Sequence, residues 1–204
     1  GRLLPTFGRA TEMATLPGMR LGIDLDGVVA NFTAGWMHFY NLEFGTDLEE
    51  SDSQRWNDMI RLTHFEDMSE FWKWAADLDG RSLFWHLEPF PGAVEALVEL
   101  DDQGHEIVII TQKPRYAIQD THEWVEMHGI PAREVHIVDR KWEIDADVYL
   151  DDGPHMVPAL VEHRPDRTVC RYVRPWNEPV PGAIDVHDFD DFREVVSGLS
   201  PISG

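Results

Sequence analysis

The sequence has 204 residues, with 38 acidic against 17 basic side chains and a formal charge of -21. That length holds one hydrophobic core with room for a modest insertion. So acidic a surface repels polyanions, which excludes tracking along a nucleic acid polymer while leaving room for a small anion in a locally positive pocket.

A single cysteine, Cys170, rules out an internal disulfide and a cysteine-rich zinc site. No stretch approaches the ~20 apolar residues of a membrane span, so no membrane partner is expected. Residues 1–18 lack the apolar segment of a signal peptide and read as a mobile or expression-derived tail, which makes a reducing cytoplasm the default location. From Arg20 the character changes: Leu21, Ile23 and Leu25 alternate as in a strand, Asp26-Gly27 signals a turn, and Val28 to Phe32 resumes an apolar run. The strand thus ends in two carboxylates, Asp24 and Asp26.

Ala34 to Tyr40 begins a helix rich in aromatic residues, and Asn41 to Asp52 reads as a polar, acidic connection. From Gln54 to Trp85, aromatic and apolar residues recur at irregular helical spacing, the pattern of a small helical bundle. Some of these rings could instead face a flat ligand. Two prolines in Leu87 to Pro91 break the pattern, and Ala93 to Asp101 is an amphipathic helix stopped by Gly104. The segment from Gln54 to Glu88 therefore reads as an insertion, a cap.

Ile107 to Ile110 is a continuous apolar run, as in a parallel strand covered on both faces, with Thr111 at its end. A helix from Gln119 to His128, strands at Val135 to Val138 and Val148 to Leu150, a last strand from Thr168 to Val173 and a closing helix from Asp188 to Val196 complete the expected order. Strands alternating with helices argue for a parallel sheet with right-handed crossovers. Three of these strands finish in polar residues, Asp24 to Asp26, Thr111, and Asp151-Asp152, and Lys141 precedes the last. Ligands bind beyond the carboxyl ends of such strands, so these groups converge where a substrate would sit.

Several carboxylates at one crevice call for a hard cation, and Mg2+, which prefers oxygen ligands, fits better than Ca2+ because no EF-hand pattern is present. Asp24 and Asp152 are the candidate side-chain ligands and the backbone carbonyl of Asp26 a third, with Asp151 bracing them from behind. A cation, the Lys141 ammonium, the Thr111 hydroxyl and turn amides including that of Gly27 form a phosphoryl-binding set. Asp24 could then attack phosphorus, with Asp26 as acid and base. Each group also has a plainer reading, as a surface charge or a solvated turn. The ten histidines are scattered and share no ligand spacing.

DLDGVVANF (24–32), the strand into Thr111, Lys141 and DVYLDDGP (147–154) resemble, in order, the four motifs of the haloacid dehalogenase (HAD) superfamily of aspartate-nucleophile phosphotransferases. The likeness is closer to its 5'(3')-deoxyribonucleotidase family. LEPFPGAVEALVEL (87–100) is similar to that family's segment after the cap, and VDRKWEIDADVYLDD (138–152) keeps its spacing from lysine to paired aspartates. Trp124-Val125 and HDFDDF (187–192) also fit, so the likeness runs from Arg20 to Val196.

The resemblance implies an α/β fold, a Rossmann-like doubly wound parallel sheet, with the core at 19–33 and 89–198 and a helical cap at 34–88. It implies a Mg2+-dependent phosphatase for (deoxy)nucleoside monophosphates, with Asp24 as nucleophile, Asp26 as acid and base, and Thr111 and Lys141 as phosphate ligands. Asp24 and Asp152 would hold the metal, Phe32 would stand beside the substrate base, and Trp56 is the cap aromatic that could stack on it. Two positions depart from the family: its serine after the motif threonine is Gln112, and its second phosphate lysine aligns with Thr121, for which Lys113 could substitute from another direction. These departures leave open a non-nucleotide phosphate ester as substrate. A binding module without turnover is the remaining alternative, and a homodimer is an open option.

Overall fold

The computed structural model describes residues 17–199, so the expectation for the N-terminal tail lies outside the described residues except at Pro17 and Gly18. Six strands form one sheet: β1 (Arg20–Ile23), β2 (Glu106–Thr111), β3 (Ala132–Ile137), β4 (Val148–Asp151), β5 (Thr168–Tyr172) and β6 (Ala183–Val186). All neighbours pair in parallel, in the order β3-β2-β1-β4-β5-β6. The sheet is the doubly wound α/β arrangement expected. The order reverses at β1, which lies between β2 and β4, and it is at such a reversal that a crevice opens beyond the strand ends.

Alternate residues of the central strands divide between two apolar layers. Leu21, Ile23, Ile107, Ile109, Val148 and Leu150 join one core, which they share with Leu97, Leu100, Trp124 and Phe192. Val108, Ile110, Tyr149 and Val169 join the other, against Val157 and Leu160. Both faces are covered, which is why the strands read as unbroken apolar runs. Gly22 permits the closeness of the second layer: a Cβ there would lie 2.7 Å from Ile110 Cδ1.

Among the described residues there are seven α-helices. Between β1 and β2 run α1 (Phe32–Phe44), α2 (Asp58–Arg61), α3 (Met68–Ala75) and α4 (Ala93–Asp102), and then come α5 (Ile118–Met127), α6 (Met156–His163) and α7 (Phe189–Gly198). Helix α1 is longer than the expected Ala34 to Tyr40. The Asn31 side chain accepts the Ala34 N–H at its start, and Gly45, left-handed at φ 66°, stops it only after Phe44 has packed on Tyr40 and His64. Part of the expected acidic connection is therefore helix. From the aromatic run that follows, Phe71 and Phe84 are buried together with Trp36 of α1, continuous with the sheet's first layer.

Two elements depart from the sequence reading. The strand at Thr168 is not the last, since β6 adds to the edge beyond it, and α6 occupies a stretch that had suggested no element. Pro158 falls in the first turn of α6, where a missing N–H costs nothing.

Candidate active site

At the end of β1 the chain makes a tight turn around one carbonyl: Leu25 O accepts the N–H groups of Val28, Val29 and Ala30. Asp24 stays tied to the sheet through its own N–H to Leu150 O at 3.0 Å, and its Oδ1 accepts the Leu25 N–H at 2.8 Å. Gly27 sits in the turn at φ 79°, and a Cβ there would lie 2.0 Å from Asp152 Oδ2. The residue was expected to offer an amide to phosphate, but its N–H is taken by the Ala30 carbonyl at 2.9 Å. What Gly27 contributes is the missing side chain that lets the β1 turn press against the β4 end.

The carboxylates of Asp24, Asp151 and Asp152 come together, each offering an oxygen within 4.8 Å of the others, and all three residues are buried. The Lys141 ammonium, on the short turn before β4, lies 2.9 Å from Asp24 Oδ1 and 2.6 Å from Asp151 Oδ2. Burial pulls that ammonium down, but Asp151 and Asp24 outweigh it and hold its pKa above the ordinary lysine range. Burial pushes the Asp151 carboxyl up to about 6, with Lys141 opposing and Asp24 adding to the rise. Asp152 is raised well above the usual carboxylate range, first by burial and then by the charges of Asp24 and Asp151.

Such a cluster is short of positive charge, and a divalent cation fits it: one ammonium cannot neutralise three carboxylates. Both oxygens of Asp151 already accept hydrogen bonds, from Lys141 and from the Gly153 N–H. Asp24 Oδ2 and Asp152 Oδ1 accept none from the described residues. The carboxylate oxygens of the cluster that take no hydrogen bond from the described residues therefore belong to Asp24 and Asp152.

The Asp26 side chain stands apart from this cluster and pairs with the Lys113 ammonium. Burial raises its carboxyl above the usual range, Lys113 opposes that, and Asp24 adds to it. Thr111 is fully buried and meets the site through Lys113 Nζ, 3.3 Å from its hydroxyl. Gln112 lies at the rim with its amide donating to Asp139 Oδ1 at 2.9 Å.

Above these groups opens a cavity of about 640 Å³, within the range of small-molecule sites. Its floor includes Asp24, Asp26, Lys141 and Asp152, and its walls include Phe32, Trp56, Trp72 and Phe84. Phe32 stacks on Phe84 with centroids 5.8 Å apart, whereas Trp56 is 48% exposed at the opening.

Sequence reasoning missed the loop after β5. The Trp176 indole N–H donates to Asp152 Oδ2 at 2.9 Å, Asn177 Nδ2 donates to the Asp152 carbonyl at 2.8 Å, and Arg174 Nε donates to the Gly27 carbonyl at 2.7 Å. The signal that could have found them was the polar cluster RPWN directly after an apolar strand.

The acidic cluster and its lysine stand at the reversal point of a parallel sheet, and solved structures from the HAD superfamily are similar to the chain in fold. L-2-haloacid dehalogenase from Xanthobacter autotrophicus superposes with a TM-score of 0.63 at 14% identity, covering 90% of this chain and 100% of its own. A magnesium-bound HAD hydrolase from Bacillus subtilis gives 0.60 at 10% identity, covering 88% and 99%. Residues 18–199 match the family described as 5' nucleotidase, deoxy (pyrimidine), cytosolic type C. A Chlorobaculum tepidum protein provisionally named a 5'(3')-deoxyribonucleotidase is 30% identical over 166 residues, 76% of this chain and 79% of its own. The mouse mitochondrial 5'(3')-deoxyribonucleotidase is 26% identical over 166 residues, 72% of this chain and 70% of its own. The chain belongs to this 5'-nucleotidase family and is a phosphatase.

Proposed function

We propose that the protein is a Mg2+-dependent phosphomonoesterase that releases nucleosides from (deoxy)nucleoside monophosphates through a phosphoryl group carried on Asp24. The observation that carries this reading is the Asp24 carboxylate, fixed beside Lys141 and Asp152 under a cavity walled by aromatic rings. In the first step an Asp24 oxygen forms a bond to phosphorus as the ester P–O bond breaks, and Asp26 gives its proton to the departing oxygen. In the second, Asp26 takes a proton from water as the water oxygen bonds to phosphorus and the Asp24–phosphorus bond breaks. Free Asp24, inorganic phosphate and protonated Asp26 result.

Lys141 holds phosphoryl oxygens by charge, and Thr111 and Gln112 orient them from the β2 end. Asp24 and Asp152, with the Asp26 carbonyl, would hold Mg2+. When bound, the cation would supply positive charge that offsets the charge growing on the phosphoryl group. Residues 34–88 act as the cap over a core of 19–33 and 89–198, and Phe32 and Trp56 offer faces to the base. The buried free thiol of Cys170 suits a reducing cytoplasm. Among the described residues no helix is long and apolar enough to cross a membrane.

A panel of phosphomonoesters assayed with and without Mg2+ tests the reading. Highest kcat/KM on nucleoside monophosphates, lost on chelation, is expected. Highest turnover on a sugar or headgroup phosphate would reject the substrate class, and turnover unchanged by chelation would reject the metal.

A further inference from the structure

Lys113 has no part in the chemistry above, yet its side chain is only 2% exposed. Its ammonium pairs with Asp26 Oδ2, lies 3.3 Å from Thr111 Oγ1, and sits 4.6 Å from the centre of the Phe84 ring. Sequence and local geometry aim it there. Lys113 is two residues beyond Thr111, so its side chain leaves the extended backbone on the same side, and Pro114 restricts it to that extended form. A buried ammonium loses its hydration and must recover that loss from its partners. Here the partners are one carboxylate oxygen, one hydroxyl and one aromatic face.

The second observation concerns the other oxygen of the same carboxylate. Asp26 Oδ1 is buried and accepts no hydrogen bond among the described residues. Buried polar atoms without a partner are rare, and one in an active site calls for a reason. The two oxygens of Asp26 are thus unequal, one anchored by Lys113 and one buried without a partner.

We propose that Lys113 is the positioning residue for Asp26. By holding Oδ2 it sets the plane of the carboxyl group, and with it the direction from which the acid meets the ester's leaving oxygen and, later, the attacking water. Lys113 itself neither gives nor takes a proton. The inference rests on the reading of Asp26 as general acid, and it adds the group that aims that acid.

The experiment compares release of the first product in single turnover from two substrates, a nucleoside 5'-monophosphate and p-nitrophenyl phosphate, in Lys113→Met, Lys113→Arg and Asp26→Asn. An alkoxide needs a proton to depart, whereas p-nitrophenolate leaves well without one. For Lys113→Met we expect nucleoside release to fall about 10- to 100-fold with KM within about twofold, and p-nitrophenolate release to fall no more than about threefold. Lys113→Arg should recover part of the loss, and Asp26→Asn should show the same selectivity more strongly. If Lys113→Met does not fold, Lys113→Gln carries the same comparison. A matching rise of KM on both substrates would make Lys113 a phosphate ligand instead, and an equal loss on both with a lower melting temperature would make it structural. Either result overturns the inference. Selectivity in Asp26→Asn but none in Lys113→Met overturns it while leaving the acid role intact. Absence of selectivity in both overturns the acid role and the inference with it.

Discussion

At the scale of single residues the site is a problem of charge. Three buried carboxylates share one ammonium, and burial together with mutual repulsion raises two of the acids, Asp151 and Asp152. A carboxyl whose pKa is higher folded than unfolded contributes stability below its unfolded value, and that contribution is lost as pH rises through the folded value. For Asp151 this window runs from the ordinary carboxylate range to about 6. Mg2+ binding, which needs the ionised forms, should therefore raise the melting temperature more at pH 7.5 than at pH 5. At a hundredfold excess over Kd the stabilisation is about 2.7 kcal/mol, or roughly 5–10 °C for a domain of this size. Calorimetric scans with and without Mg2+ check this. Asp152→Asn should remove the shift, and a shift of equal size at both pH values, or one that survives the substitution, would contradict the site. Gly27→Ala should also abolish it, because the added methyl would enter the Asp152 carboxylate.

At the scale of elements, the segment between β1 and α4 divides its aromatic residues between a buried core and the cavity wall. Phe71 is fully buried among Phe65, Trp72 and Trp74, and its replacement by Ala should cost about 3–5 kcal/mol in denaturant unfolding. Trp56, half exposed on the cavity wall, should behave oppositely. Trp56→Ala should leave stability within about 0.5 kcal/mol and raise KM for a nucleotide about tenfold, with little effect on p-nitrophenyl phosphate. Equal KM changes on both substrates would place the base elsewhere. Periodicity alone could not make this division, because both rings belong to one irregular aromatic run. The strand ends were easier to read. Asp24, Thr111 and Asp151 each close an apolar run, and parallel pairing brings such ends to one edge. By contrast, the partner of Lys113, the spent amide of Gly27 and the indole of Trp176 depend on how loops fold back, which no local pattern encodes. The short edge strand β6 follows a proline-rich stretch and was hidden for the same reason.

For the molecule as a whole, a charge of -21 opposes an anionic substrate, while Lys113 and Lys141 offset part of the acidity inside the cavity. Exposed charges are screened by salt far more than buried ones, as the Debye length falls from about 30 Å at 0.01 M to about 8 Å at 0.15 M. Adding salt over that range should therefore raise kcat/KM for a nucleoside monophosphate severalfold and leave kcat nearly constant. A decrease would mean that attraction by the lysines in the pocket governs the encounter instead. In the proposed mechanism the sheet, the cap and the surface charge all act on one event, the passage of a phosphoryl group to the carboxylate at the end of β1. Mass spectrometry of enzyme quenched in acid during turnover reads that event directly. The account predicts one phosphoryl group on the peptide that contains Asp24, absent in Asp24→Asn, a variant that should also lose about 10^4-fold or more in turnover. Phosphate on another residue, or full turnover in Asp24→Asn, would contradict it.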